Sequence, residues 1–233
     1  ADGDDTVAQT VQVSLDGFKA QQEKLLKSFK SPENIALLQQ LSTVIAEYEK
    51  GLVAMRSGYK ASNSVRDDLG ASADKGNALI DQISADVLNL AVEDERRFEQ
   101  YQAITKVRED LMRVRYETRG YTGNTTAENE KKALGQIEDA LKNLQAVSAT
   151  FSGVQAERLK QLEGALGAYR NSLVSFKTTI NDLGTLRKNM TTQGQTIVKL
   201  SDDMYKIQLD RRDIESADAR NMQLICTLIA LLL

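Results

Sequence analysis

Apolar side chains recur along this chain at intervals of three and four residues, the period of one face of an α-helix. Leu38, Leu41, Ile45, Tyr48 and Leu52 keep that spacing, and so do Leu159, Leu162, Leu166, Tyr169 and Leu173. A third seam runs through Ile104, Val107, Leu111, Val114, Thr118 and Tyr121. Punctuation between such runs is sparse. Ser31-Pro32-Glu33 is a helix start, with serine as cap and proline at the first helical position. Ala61 to Ser64, Ser152-Gly153 and Arg187 to Asn189 read as polar turns, and Gly120 to Thr126 as a turn or kink. The pattern predicts helical segments near 6–30, 34–61, 65–122, 125–151, 154–186 and from 190 onward.

The periodicity ends in an apolar run. From Leu224 to Leu233 every residue except Thr227 is apolar, directly after the densely charged stretch 201–220. A bilayer-spanning helix needs about 20 such residues, so this is at most half of one. The abrupt change reads as a helix passing from water into a membrane, with 221–233 the start of a transmembrane helix. The plain alternative is the buried last helix of a water-soluble domain.

The spacing also repeats at long range. Segment 38–53 matches 159–174 at a constant offset of 121 residues, Gly76-Asn77 faces Gly194-Gln195 at 118, and Gly3 to Thr6 faces Gly123 to Thr126 at 120. Amphipathic helices share leucine spacing by chance, but the common tyrosine and the Gly-x-x-Thr turns favour two copies of one helical unit.

Segment length restricts the path. About 28 residues span roughly 42 Å at 1.5 Å per residue, here one layer. A final helix descending into a membrane requires 154–186 to ascend and 125–151 to descend, so 65–122 must be divided, best at the charged stretch Val92 to Phe98. Residues 6–122 then form a membrane-distal four-helix module, and 123–220 a membrane-proximal module of three helices whose fourth should precede Ala1. One mismatch counts against the division: in the repeat, 93–97 corresponds to 210–214, placed within a helix.

Composition narrows the chemistry. The 233 residues are 41% hydrophobic and 27% charged, with one proline and no tryptophan, which suits an all-α protein large enough to bury a core. A net charge of -3 gives no electrostatic case for nucleic acid. Histidine is absent and Cys226 is the single cysteine, so the usual metal sites, thiol nucleophiles and His-based acid–base catalysis lack their residues, and no cofactor is implied. Asp67-Asp68 and Asp202-Asp203 are adjacent carboxylates, which on a helix point about 100° apart and do not converge on a substrate. An enzyme is not expected.

Two stacked four-helix bundles sharing long helices, an all-α chain running into a C-terminal transmembrane helix, and the paired segments around Tyr48 and Tyr169 resemble the helical bimodular sensor domain of bacterial methyl-accepting chemotaxis receptors. The resemblance implies a periplasmic ligand-binding region between two spans of the bacterial inner membrane, usually a homodimer. It implies small carboxylate ligands: malate-, succinate- or citrate-like acids in the proximal module and acetate-like acids in the distal one. The cytoplasmic signalling parts of such receptors are absent from this sequence.

Residues able to hold an anion are read directly. Arg108, Met112, Arg115 and Arg119 follow one stripe beside the seam of 104–121 at spacings of 4, 3 and 4. Two guanidinium groups one turn apart can fork a carboxylate and stay charged at any relevant pH. Tyr116, Tyr121 and Thr122 are candidate neutral donors, and Arg66 should reach the level of Arg119. The alternative is an exposed basic face paired to Glu109, Asp110 and Glu117. For the proximal module the candidates are Tyr169, Arg170, Arg187 and Thr191, with ordinary core packing the alternative for Tyr169. Besides the chemoreceptor sensor, two functions remain open: the sensor region of a membrane histidine kinase, and a helical stalk without ligand. Unpaired inward arginines argue against a pure stalk.

Overall fold

Sequence punctuation proves decisive at some boundaries and silent at others. The computed structural model describes residues 2–210, 220 and 222–227. Its helices are α1 (Asp2–Ser28), α2 (Pro32–Leu88), α3 (Glu95–Gly123), α4 (Ala127–Ser148) and α5 (Gly153–Asp210), and no strand occurs among the described residues. The all-α expectation holds. Proline at the first position starts α2 where Ser31-Pro32 predicted it. The division expected near Val92 is real: α2 ends at Leu88, and the Asp94 carboxylate caps α3 by accepting from the Arg96 amide at 3.0 Å. The Arg96 guanidinium, bonded to the same carboxylate, holds it well down, at about 2. Thr126 caps α4 by accepting from the Asn129 amide, and Gly153 opens α5 with φ +59°, a left-handed conformation glycine adopts without penalty.

Two predicted turns are absent. Helix α2 runs unbroken through 61–64 and α5 through 187–189. Neither stretch contains proline or glycine, and in each the apolar seam resumes at once: Ser62 is buried and leads to Leu69 and Ala73, while Arg187 to Asn189 lead to Met190. Weak turn propensity loses to the burial gained by continuing the helix.

That continuity changes the domain boundaries. The chain divides into two compact units, Ala1–Tyr59 with Asp182–Leu233 (unit 1) and Lys60–Asn181 (unit 2), not at 122/123 as the expected modules 6–122 and 123–220 would have it. Because α2 and α5 have no turn at their middles, each supplies one half to either unit. Unit 2 is a four-helix unit: its core draws Leu69 to Val87 from α2, Ile104 to Tyr121 from α3, Ala133 to Leu144 from α4 and Leu159 to Phe176 from α5. A polar pair sits inside it, the buried Asp110 carboxylate accepting from Asn143 Nδ2 at 2.9 Å between α3 and α4.

Unit 1 packs α1, the first half of α2 and the second half of α5 around Leu15, Phe18, Tyr48, Met190 and Ile197. Residues 222–227 are helical and add Met222 and Cys226 to this core, with Gln223 donating to Asp202. Over these six residues the segment packs one face, Met222 and Cys226, on unit 1, while Leu224 is 60% exposed. The rest of the expected transmembrane start, 221 and 228–233, lies outside the described residues. Among the described residues no helix is long and apolar enough to cross a membrane.

Buried tyrosines tie stability to alkaline pH. Burial pushes the Tyr48 phenol up to about 12 and raises Tyr121 and Tyr169 as well. An unfolded chain releases phenol protons near pH 10, so between that pH and the raised folded values the folded state binds more protons. The contribution is therefore complete below about pH 10 and is lost as pH climbs through the folded values. Melting midpoints should fall steeply above pH 10, with the tyrosinate absorbance of these three buried phenols appearing together with unfolding; ionisation of all seven tyrosines before any loss of helix would contradict this.

Candidate anion-binding site

Helix α3 carries two kinds of face. Ile104, Val107, Leu111, Val114, Thr118 and Tyr121 are buried as the seam predicted. The adjoining stripe, Arg108, Met112, Arg115 and Arg119, borders with Tyr116 of α3 and with Asn77 and Asp81 of α2 an open groove of about 590 Å³ within unit 2. The arginines do not enter the bundle interior, where a pocket was expected. Arg115 keeps 32% of its side-chain exposure and Arg119 is exposed. An unpaired guanidinium in the core would forfeit its hydration, and valine, threonine and tyrosine occupy the inward positions instead.

The three arginines differ in commitment. Arg108 is engaged, 2.8 Å from Asp81 and 3.2 Å from the Ser84 hydroxyl. Arg115 lies 3.9 Å from Asp74, a long contact to an exposed carboxylate. Arg119 has no ion-pair partner among the described residues. Asp110 does not serve the stripe, being buried against Asn143. Met112 and Tyr116 are 63% and 75% exposed, so they form the rim of the groove rather than its floor.

Beneath this end of the stripe lies Tyr169 of α5. Burial raises its phenol; the Thr118 hydroxyl and the positive charges of Arg115 and Arg119 act in the opposite sense. All three α3 side chains therefore lie within electrostatic range of one buried α5 hydroxyl, which itself does not line the groove. Thr118 Oγ1 is fully enclosed and makes no hydrogen bond of good geometry, the Tyr169 hydroxyl being its polar neighbour. At the groove itself stand the guanidinium groups of Arg108, Arg115 and Arg119 with the Tyr116 phenol. Such a set can accept a carboxylate, the guanidinium groups supplying charge and the phenol a neutral donor.

This placement corrects the grouping of Tyr169 with Arg187. Tyr169 belongs to unit 2 and Arg187 to unit 1, where Arg187 Nη2 donates to the Tyr59 hydroxyl at 2.8 Å. Core packing also describes Tyr169, which is 4% exposed. Thr191 donates to the Arg187 carbonyl. Arg170 pairs with Glu138 at 2.9 Å along a second groove of about 420 Å³ between α4 and α5. Arg66, Tyr121 and Thr122 form a clasp at the end of α3 instead of lining the groove. Arg66 Nη2 donates to the Thr122 carbonyl at 3.1 Å and its guanidinium lies 5.4 Å from the Phe176 ring centre. Tyr121 meets the same ring edge-on at 5.7 Å. Sequence reasoning missed Thr118 as a polar group, Asn77, Asp81 and Phe176. The helical phase of α2 and α5 against α3 selects them, and no local pattern encodes it.

The long helices α2 and α5 each contribute to both units, and unit 2 carries the arginine-lined groove. A family description of the helical bimodular sensor domain matches residues 1–219, and the chain belongs to that family. Among its relatives, the methyl-accepting chemotaxis protein McpS of Pseudomonas putida is 41% identical over 232 residues, all of this chain and 36% of McpS. The methyl-accepting chemotaxis protein McpQ of the same organism is 26% identical over 230 residues, 99% of this chain and 35% of McpQ. The chain thus spans about a third of the length of either relative.

Proposed function

We propose that this chain is the periplasmic ligand-binding region of a bacterial chemotaxis receptor and that it recognises small organic acids. The observation that carries the reading is the groove of unit 2 that Arg115 and Arg119 line together with Arg108. Arg119 there keeps a guanidinium without an acidic partner among the described residues, and the groove can admit an acid the size of acetate, succinate, malate or citrate. Membership of the sensor family and the names of McpS and McpQ support a receptor over a stalk. In this reading the domain belongs to a homodimeric receptor of the inner membrane. No catalytic step is assigned.

An acid bound in the groove between α2 and α3 stabilises one arrangement of these helices over another, and α2, which also builds unit 1, carries the change onward. The test is calorimetric. Acetate, succinate, malate and citrate are titrated against the domain, and at least one should raise its melting midpoint by mass action, about 2.7 kcal/mol at a hundredfold excess over Kd. If none does so, the organic-acid reading is wrong. The sensor region of a histidine kinase remains the second reading, and the sequence following residue 233 separates the two.

A further inference from the structure

In unit 1 the two long helices approach each other at positions where α2 has no side chain. A Cβ added to Gly51 would lie 2.9 Å from Met190 Cγ, and one added to Gly58 would lie 2.6 Å from Leu183 Cδ2 and 3.1 Å from its Cγ. Real Cβ atoms do not approach so closely, so both α5 side chains rest against the α2 backbone itself. Gly51 and Gly58 are seven residues apart, and so are Leu183 and Met190 in the opposite direction. Both contacts therefore belong to one antiparallel register. Met190 and Leu183 are 2% and 6% exposed, so each knob fills its seat. Between them, Arg187 reaches back to the Tyr59 hydroxyl at 2.8 Å, a polar tie across the same two helices.

The seats are not a property of the repeat. At the 121-residue offset Gly51 and Gly58 correspond to Ser172 and Thr179, so the matching stretch of α5 carries side chains where α2 has none. Nor are they generic helix glycines: an added Cβ at Gly17 or Gly164 meets nothing within 4 Å.

We infer that Gly51 and Gly58 lock the register of α5 on α2, so that across unit 1 these two long helices move as one body. Sliding α5 along α2 would lift two knobs from backbone-deep seats at once and break the Arg187 tie, and close-packed interfaces of this kind are discrete rather than continuously deformable. A displacement of α5 therefore carries the first half of α2 with it. What that motion signals rests on the receptor reading; the lock itself does not.

The test uses the whole chain in a Cys226→Ala background with spin labels at Ser57→Cys and Lys188→Cys, both exposed positions flanking the seats. Pulsed paramagnetic resonance should give one narrow distance, the same with and without saturating organic acid. Gly51→Leu and Gly58→Leu should broaden or lengthen that distance and lower the melting midpoint. Gly51→Ala, which adds one methyl, should do so more weakly but measurably, because Met190 Cγ moves only by a change of χ1 and a helix restricts that choice. Gly17→Ala and Gly164→Ala should raise the midpoint, alanine being the better helix former. Two distance populations in the native protein, a distance that shifts with acid, or leucine variants with native distance and midpoint would each overturn the lock. If no acid binds, the receptor reading fails while the ligand-free distances still decide this one.

Discussion

Phe176→Ala is expected to lower the melting midpoint of the domain by about 10 °C. The ring is fully buried where α2, α3 and α5 meet. Tyr121 packs edge-on against it, 5.7 Å between centres at 84°, and Arg66 covers its face at 5.4 Å. Truncating a buried phenylalanine removes its transfer free energy and leaves a cavity, together about 3–5 kcal/mol. The edge-to-face pair adds about 0.5–1.5 kcal/mol beyond area. At about 2–4 °C per kcal/mol for a domain of this size, the midpoint should fall well outside experimental scatter. Phe176→Leu, which keeps most of the volume, should cost less than half as much, and Tyr116→Ala on the exposed rim should cost almost nothing. A drop below about 2 °C for Phe176→Ala would mean that the α2–α3–α5 junction is not packed as described.

The second large effect concerns binding. Arg119→Ala should weaken the acid that stabilises the native domain by tenfold or more, and Arg115→Ala by a similar factor. Each removes a charge-assisted hydrogen bond of about 1.5–3 kcal/mol, and 1.4 kcal/mol is a factor of ten. Together they should abolish the thermal shift. Arg119→Lys keeps the charge but loses the fork, so it should restore only part of the affinity. Arg170→Ala provides the control. Arg170 is paired with Glu138 in a separate groove on the same unit, so its loss should leave affinity unchanged. Native affinity in the Arg115→Ala/Arg119→Ala double variant would place the acid elsewhere.

Some of this arrangement was legible from spacing. The α3 seam was read residue by residue, because which side of one helix is apolar is a local property. Its flanking stripe was read as well, and the stripe lines the groove. The depth of the stripe was not legible: Arg115 and Arg119 lie at the surface, since the positions facing the core were taken by Val114, Thr118 and Tyr121. The turn at Val92 was found from charge and length together, and the Asp94 cap confirms where α3 starts. The turns at 61–64 and 187–189 were misread, because polar residues in a helix that is buried on one side look the same as polar residues in a loop. Removing those two turns moved every boundary that depended on them. It transferred Tyr169 from a supposed proximal pocket to the arginines of unit 2.

The sequence by itself determined that the chain is helical, which face of each helix is apolar, that histidine is absent and cysteine single, and that cationic side chains cluster near the end of α3. These follow from propensity, period and composition, each of which acts within a few turns of chain. Only the tertiary structure decided that α2 and α5 continue through their polar middles, that Tyr169 stands beneath Arg115 and Arg119 while Arg187 stands beside Tyr59, and that Gly51 and Gly58 are seats for α5. Each of these depends on the rotation and register of one helix against another. That alignment is fixed by the burial summed over whole interfaces, and no short stretch of sequence contains it.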